Sequence, residues 1–309
     1  MSTTTMQALL PGLDSPLIGS VKNERAIMVY PFFNLSAVDK KTELPVYDDG
    51  RVRIEVKGTK SGVATIYDAE FVIYVASLMV DKMNRGLPVT QSFSFSGHDF
   101  FRVTGVSVGG KNYERFEGAL DRLQGTQIKT NIETGGEGTD EWFSWCKTAK
   151  VEYRKNAKGE KIIKRITVEL CDWLYRAILK DNRMLTYDPV YFKLPPLEKR
   201  LYEMARAHCG NQAGFRIGLE KLRMRVGSDL ALKDFKSRLV KIAAKQRPLP
   251  EYGFKLIDKA AERRAEPVVP GAPPKRTRTN PRNVVVVFWR LDRWREYDAE
   301  RFPEADEAV

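Results

Sequence analysis

The chain has 309 residues, enough for two domains, and a hydrophobic content of 42%, which is ordinary for a globular protein. Its 52 lysines and arginines exceed its 40 aspartates and glutamates, so the formal net charge is +12 and polyanions are the expected partners. The sequence has no apolar run of about 18 residues, as a membrane-spanning helix would need, and residues 1–17 lack the charged start and long apolar core of a secretory signal. We therefore expect a cytoplasmic protein with no membrane partner.

The cysteines and histidines give no sign of a metal site. Cys146, Cys171 and Cys209 lie far apart and form no CxxC pair, so neither a zinc site nor a disulfide framework is expected. His98 and His208 are the only two histidines, too distant in sequence for a paired-histidine motif. We predict no metal, no cofactor and a reducing compartment.

The first part of the chain predicts a leader followed by a domain at 25–180. Residues 1–24 are rich in Ser and Thr and are predicted to form a flexible leader. The apolar segment Ala26–Leu35 predicts a short strand or strand pair. Ala69–Asn84 is apolar nearly all round, which predicts a central core helix with Asp68 as its N-cap.

The hydrophobic period then changes from helical to alternating. A predicted strand, two helices and three further strands follow in this order: Gln91–Ser96, Gly97–Val103, Asn112–Leu123, Gln127–Ile132, Glu141–Tyr153 and Lys161–Glu169. A helix-turn-helix followed by a β-hairpin is the arrangement of a winged helix. A closing helix at Asp172–Leu179 ends the domain, and 181–196 is the predicted linker.

The second unit, 197–300, repeats this order of elements. Its predicted helix, strand, helix-turn-helix and two wing strands are Leu197–Cys209, Gly214–Ile217, Leu219–Lys245, Phe254–Ile257 and Val284–Trp289. Between the last two strands lies a basic, Pro-rich wing insertion, 260–282, whose composition cannot bury a core, and 301–309 is a tail. The predicted fold class is α+β, with two tandem winged-helix domains.

The strongest functional signal is the second helix of the second helix-turn-helix. Its apolar residues recur at steps of three and four, as on one helix face, and the opposite face is cationic: Leu232, Phe235, Leu239 and Ile242 form the apolar face. Gly227-Ser228-Asp229 supplies a permissive glycine and an N-cap for the corner between the helices. A basic helix held in this way fits the major groove of DNA. The simpler interpretation is a solvated amphipathic helix.

Three groups of side chains are candidates for contacts with double-stranded DNA, because phosphate neutralisation supplies affinity and contacts to base edges supply sequence choice. The first group lies on the basic helix: Lys233, Lys236, Ser237, Arg238, Lys241 and Lys245. The second lies on or just before the predicted helix Asn112–Leu123: Lys111, Arg115 and Arg122. The third lies in the wing insertion: Lys275, Arg276 and Arg278.

The three groups differ in strength. Arg238 is the best candidate for a bidentate contact with guanine, because its guanidinium is a planar fork. The second group lies among acidic neighbours, so its helix either contacts DNA or serves a dimer interface. The wing insertion is either an arm that follows DNA or a solvated linker.

Catalysis is not expected from the sequence. Gly105–Lys111 (GVSVGGK) has the spacing of a phosphate-binding loop, but Asn112 stands where magnesium ligation needs Ser or Thr. The sequence shows no Cys/His dyad. We predict no catalytic residues and no enzyme activity, and an enzyme acting on nucleic acid is the alternative class.

Three segments resemble one known family. PFFNLS at Pro31–Ser36, the segment Ile66–Val80, and above all GGKNYERFEGALDRLQGTQIKTN at Gly109–Asn131 are similar to plasmid replication initiators of the replication initiator protein A family. The resemblance implies two tandem winged-helix domains that bind direct repeats in a plasmid origin and recruit host replication proteins, such as a helicase or the sliding clamp. It also implies monomers that bind the repeats and homodimers that repress. A winged-helix transcriptional repressor binding its operator is the alternative function.

Overall fold

The computed structural model describes residues 12–36, 40–105, 112–138, 140–157, 159, 161–210, 212–259 and 280–296. The chain forms two compact units: unit 1 comprises Met1–Ile27 and Phe32–Lys193, and unit 2 comprises Met28–Pro31 and Leu194–Val309. The boundary between Lys193 and Leu194 lies within the predicted linker. That linker is itself structured, because it contains a strand and a 3-10 turn.

The first part of the chain folds into short helices and strands. In chain order they are β1 (Lys22–Glu24), α1 (Arg25–Val29), β2 (Tyr47–Asp48), β3 (Arg53–Lys57), α2 (Ala69–Asn84), β4 (Ser92–Phe95), α3 (Gly97–Thr104), α4 (Asn112–Gly125), β5 (Gln127–Thr130), β6 (Cys146–Lys155), β7 (Lys161–Leu170), α5 (Asp172–Arg176) and β8 (Met184–Thr186). A π-helical turn follows α5 at Ala177–Asp181, and a 3-10 turn follows β8 at Pro189–Lys193.

Unit 1 contains a winged helix made from α2, β4, α3, α4 and the β6–β7 hairpin. Its sheet has the order β4-β7-β6, with antiparallel pairing throughout. β5 pairs instead with β3 in a second antiparallel sheet of order β2-β3-β5, while β1 pairs with β8. The predicted winged helix of the first domain is confirmed.

Aromatic side chains hold the helix-turn-helix of unit 1 on the core helix. Phe71 of α2 stacks on Phe100 of α3 at 4.3 Å between ring centroids and meets Phe116 of α4 edge-on at 5.0 Å. Phe100 and Phe116 also touch each other at 5.3 Å. All three rings are buried, so each helix contributes one ring to the contact that fixes the corner.

Of the predicted flexible leader, 1–24, residues 12–24 are held by buried polar contacts, and residues 1–11 lie outside the described residues. The buried Asp99 carboxylate accepts hydrogen bonds from the backbone N–H of Leu17 and from the hydroxyl of Tyr74. Asp14 accepts from the Lys82 ammonium at 2.6 Å and from the backbone N–H of Ser94 at 2.7 Å. Because these partners are far away in sequence, local composition gave no indication of the docking.

Two further predictions at helix starts are wrong. Ala26–Leu35 begins as a helix, α1, because the Glu24 carboxylate accepts the backbone N–H groups of Ala26 and Ile27 at 2.6 and 3.2 Å. Asp68 makes no side-chain cap for α2. Its carboxylate instead accepts from the backbone N–H and the hydroxyl of Thr65.

Unit 2 repeats the winged-helix order. Its elements are α6 (Pro196–Cys209), β9 (Gly214–Gly218), α7 (Leu219–Arg225), α8 (Leu232–Ala243), β10 (Tyr252–Asp258) and β11 (Val284–Arg290), with 3-10 turns at Pro281–Asn283 and Leu291–Glu296. The sheet order is β10-β11-β9. In each unit the first strand of the winged helix pairs with the third, which pairs with the second. The predicted α+β class with two winged-helix domains is therefore confirmed.

The corner between α7 and α8 differs from the prediction in one detail. Gly227 has φ +72°, a left-handed conformation that favours glycine, as the predicted turn requires. The helix begins at Leu232, with Ala231 at the N-cap position in place of the predicted Ser228-Asp229 cap, and no side chain caps it. Ser228 accepts from the backbone N–H of Leu230 at 3.4 Å, within the turn.

The buried carboxyl of Glu24 predicts a pH-dependent stability. Burial raises its pKa from 4.5 to about 7, against the opposing effect of its two backbone hydrogen bonds. A folded state with the higher pKa binds more protons between these values, so this group's contribution to stability is full below about pH 4.5 and is lost as pH rises through 7.

We expect the Glu24→Gln variant not to lose this contribution as pH rises, because glutamine does not titrate. The free energy of unfolding of the variant minus that of wild type should therefore increase by about 3 kcal/mol between pH 4.5 and pH 8. Urea denaturation across this range measures the difference. Glu117→Gln, at an exposed position of α4, is the control and should follow the wild-type profile. Parallel profiles for Glu24→Gln and wild type would show that Glu24 titrates normally.

Candidate DNA interface

Helix α8 has one buried face that fixes its orientation in unit 2. Phe235, Leu239 and Ile242 are buried, and they recur at steps of four and three, so they share one side of the helix. The opposite side must therefore project away from the core of this unit. The predicted amphipathic helix is present, and its apolar face is the one expected.

The exposed side of α8 carries cations without compensating carboxylates. Lys233, Arg238 and Lys241 are exposed and Lys236 is half-buried. Within the described part of the chain, none of these four side chains has an ion-pair or hydrogen-bond partner. Asp234 is the one carboxylate on the helix. Such unpaired charge attracts phosphate without first breaking an internal ion pair.

Lys245 differs from the other predicted cations of this group. It lies beyond the last residue of α8, and its ammonium contacts Glu198 Oε1 of α6 at 2.5 Å. The Glu198 side chain is nearly buried while that of Lys245 is half-exposed. The ammonium of Lys245 therefore provides the charged partner that a nearly buried carboxylate needs. Lys245 is thus the most compensated cation of this group.

Short side chains lie at the middle of the exposed side. At 100° per residue, Ser237 and Ala244 lie within about 15° of the line opposite the buried face and Lys233 within about 30°, while Val240 and Lys241 lie about 50° to either side of that line. Lys236 and Arg238 lie at the two flanks. Cations at the margins with small side chains at the centre allow the helix to approach base edges closely. The sequence reasoning identified the cations and Ser237 but missed Val240, which is 49% exposed.

Helix α4, in the corresponding position of unit 1, has a different surface. The side opposite its buried Phe116, Ala119, Leu120 and Leu123 carries exposed carboxylates, those of Glu114, Glu117 and Asp121. Arg115 is exposed beside them, with its guanidinium 3.8 Å from a carboxylate oxygen of Glu70. Carboxylates on this surface repel phosphate, so α4 is a poor match for the DNA groove.

Arg122 is occupied by a structural contact. Its Nε and Nη2 donate to the two carboxylate oxygens of Asp68, each at 2.7 Å. This bidentate pair holds α4 against the start of α2 and raises the pKa of Arg122. The fork that would bind a phosphate is thus already bound to a carboxylate, and the DNA contact of Arg122 stays a prediction.

The wing of unit 1 carries cations that the sequence reasoning did not select. The β6–β7 pairing runs out to Lys155 and Lys161, whereas β4 covers only Ile166–Glu169 of β7, so the tip of the hairpin extends beyond the third strand. Arg154, Lys155 and Lys164 are exposed in this region. None of the three has a side-chain ion pair or hydrogen bond with a described residue. Four cations within five residues of the turn were the signal that could have identified them.

Several predicted contact residues lie outside the described residues: Lys111, Lys275, Arg276 and Arg278. The same holds for most of the phosphate-loop-like segment, for residues 260–279 of the wing insertion, and for the tail at 301–309.

The described residues offer little to nucleophilic or metal chemistry. Burial raises the pKa of the thiols of Cys146, Cys171 and Cys209 to about 12, so each is a protonated thiol at neutral pH. No cluster of three or more His, Cys, Asp or Glu side chains within the described ranges could hold a metal ion. Among the helices described, none has the length and apolar character to cross a membrane.

Comparison with known proteins identifies the family. The sequence profile of the family described as Replication initiator protein A matches residues 22–254. A relative from Wigglesworthia glossinidia brevipalpis, named "Putative replication protein", is 36% identical over 245 residues, which make up 78% of this chain and 87% of that protein. These matches confirm the resemblance first indicated by the Gly109–Asn131 segment.

Solved structures of RctB support the fold. Two crystal structures of its domains 2 and 3 align with TM-scores of 0.55 and 0.52, each at 13% identity. The alignments cover 84% and 87% of this chain and 94% and 97% of the RctB chains. The family profile and the 36% identical relative each span most of the sequence, and the chain therefore belongs to the replication initiator protein A family.

Proposed function

We propose that this protein initiates replication of a plasmid by binding repeated double-stranded sites at its origin. The observation that carries the proposal is the exposed side of α8, where Lys233, Lys236, Arg238 and Lys241 have no partner among the described residues. A helix of this kind in the second position of a helix-turn-helix can enter a major groove. Membership of a family of replication initiators gives this DNA binding its biological role.

The two units contribute differently to this binding. In unit 2, α8 supplies base-edge contacts from its centre and from the long side chain of Arg238, and phosphate contacts from its lysines. In unit 1, the β6–β7 wing supplies phosphate contacts through Arg154, Lys155 and Lys164, since the outer side of α4 is acidic. Ser237 and Arg115 remain candidate contacts, Ser237 on the central line of α8 and Arg115 at the margin of an acidic surface.

The proposal includes partners beyond DNA. Recruitment of host replication proteins, such as a helicase or the sliding clamp, follows from the family, as does a homodimer with a repressing role. The protein would act in the cytoplasm, where its unpaired cysteines are stable. It would act as a binding protein, leaving the chemistry of strand synthesis to the proteins it recruits.

Footprinting of the DNA that flanks the protein's own gene, across a salt series, tests the proposal. Protection of several evenly spaced direct repeats, with affinity falling steeply as salt rises, is the expected result. A single protected palindrome over the promoter would favour the repressor instead. Lack of protection at every salt concentration would contradict sequence-specific binding to this region.

Lys241→Ala should weaken binding to all DNA sequences, because the ammonium contacts phosphate. The slope of log K against log salt should become less steep by about 1. Fluorescence anisotropy with labelled duplexes measures both effects. Lys60→Ala, which removes an exposed lysine of unit 1, is the control and should leave the slope unchanged.

Arg238→Ala should both weaken binding and relax base choice, at a cost of about 1–3 kcal/mol on the preferred site. The comparison is between the preferred duplex and duplexes with single guanine substitutions. An equal loss on all duplexes would show that Arg238 contacts only the backbone.

The combined substitution Arg154→Ala and Lys155→Ala should reduce the salt slope by about 2, if each side chain contacts one phosphate. The matched control is Lys150→Ala on the same strand, whose ammonium is already paired with Glu152 at 2.6 Å. A slope equal to that of wild type would remove the wing from the interface.

Arg122→Ala should lower stability by about 2–3 kcal/mol, because it leaves the buried Asp68 carboxylate without its charged partner. DNA affinity, measured where the variant is fully folded, should match that of wild type. Glu117→Ala on the same helix is the stability control. Loss of DNA affinity without loss of stability would restore Arg122 to the interface.

A further inference from the structure

We infer that Val240 determines sequence preference by contacting the C5-methyl group of a thymine in the major groove. This inference rests on the proposed function, because it requires α8 to lie in that groove. Nothing in the cationic character of the helix implies it. It follows instead from the position, the exposure and the chemistry of one apolar side chain.

Position is the first argument. Val240 follows Lys236 by four residues and Ser237 by three, so it lies on the exposed side of α8 between these two residues, about 50° from the line opposite the buried face. Ser237, three residues before it, and Ala244, four residues after it, are short. A helix inserted in a major groove presents its exposed side to the base edges, and short neighbours let a two-methyl side chain reach them.

Folding does not account for a valine at this position. The side chain is 49% exposed, so it contributes little to the core. Valine also has a lower helix propensity than alanine, lysine or glutamate, so it weakens an exposed helical position slightly. An apolar side chain on the cationic side of this helix is therefore available for a contact outside the unit.

The chemistry of the groove specifies the ligand. Thymine is the base that presents a methyl group in the major groove, while the other bases present hydrogen-bond donors and acceptors there. Valine can neither donate nor accept a hydrogen bond, so placing it against a polar base edge would leave that edge unsatisfied. Its favourable contact is the thymine methyl, and its presence disfavours the other bases at the same position.

The experiment removes the methyl group from either side of the contact. The probe is the tightest duplex selected from a random-sequence library with the full-length protein. Each thymine in it is replaced singly by deoxyuridine, which keeps the base pair and loses only the methyl group. We expect the wild-type affinity to fall about fourfold at one or two adjacent positions, the value of burying one methyl group.

Val240→Ala should bind the thymine duplex about fourfold more weakly than wild type and should not distinguish thymine from uracil at those positions. Its melting temperature should equal or exceed that of wild type, since alanine favours the helix. Val190→Ala is the matched control: this valine of unit 1 is 48% exposed, and its removal should leave the thymine preference intact.

The outcomes separate this inference from the proposed function. Selection that enriches no sequence would contradict the proposed function itself. A selected duplex in which no uracil substitution reduces wild-type affinity would overturn the inference alone. So would a Val240→Ala variant that keeps the full preference for thymine over uracil.

Discussion

The packing of Phe235, Leu239 and Ile242 into unit 2 is the contact on which the candidate interface depends. A helix with a single buried face can be rotated in only one way about its axis, so burying these three side chains decides what the opposite side presents. The cations of α8 and Val240 are exposed for this reason. The same contact makes the interface robust, because substitutions on the exposed side leave the core unchanged.

Charge compensation distinguishes the two helix-turn-helix units. On α8 the cations are unpaired among the described residues, so phosphate is the available partner. On α4 the best-placed arginine, Arg122, is bound by Asp68 in a bidentate ion pair, and the exposed side is acidic. A count of basic residues along the sequence does not separate these cases, because the partner of Arg122 lies 54 residues away.

The sequence was sufficient to predict the elements whose pattern is local. The 16-residue α2, the amphipathic α8 and the β6–β7 hairpin have a strong period, and each is present. Helix α2 has its predicted bounds, whereas β6 begins at Cys146 and not at the predicted Glu141. The errors occur where distant polar contacts decide the structure. Residues 12–24 dock through Asp99 and Asp14, and α1 begins because a buried glutamate caps it.

The candidate site follows the same rule. Its cations could be named from the sequence, since periodicity alone separates the two sides of α8. Val240 could not be singled out, because an isolated valine among lysines looks like a residual core position until its exposure is known. The wing cations were overlooked for a similar reason: their value depends on how far the hairpin extends beyond β4, which is a matter of strand register.

The two units share one strand order and differ in surface, which shows that the fold alone does not assign a role to a helix-turn-helix. The same helix position is cationic with short side chains near its centre in one unit and acidic in the other. If one unit selects the DNA sequence and the other only adds affinity, the exposed sides of α4 and α8 need not be alike. Sequence selection needs close approach to the bases, which the short side chains at the centre of α8 allow, whereas added affinity needs only charge at the end of a projecting hairpin. The unequal distribution of charge is thus consistent with one unit that discriminates among bases and one that binds the backbone.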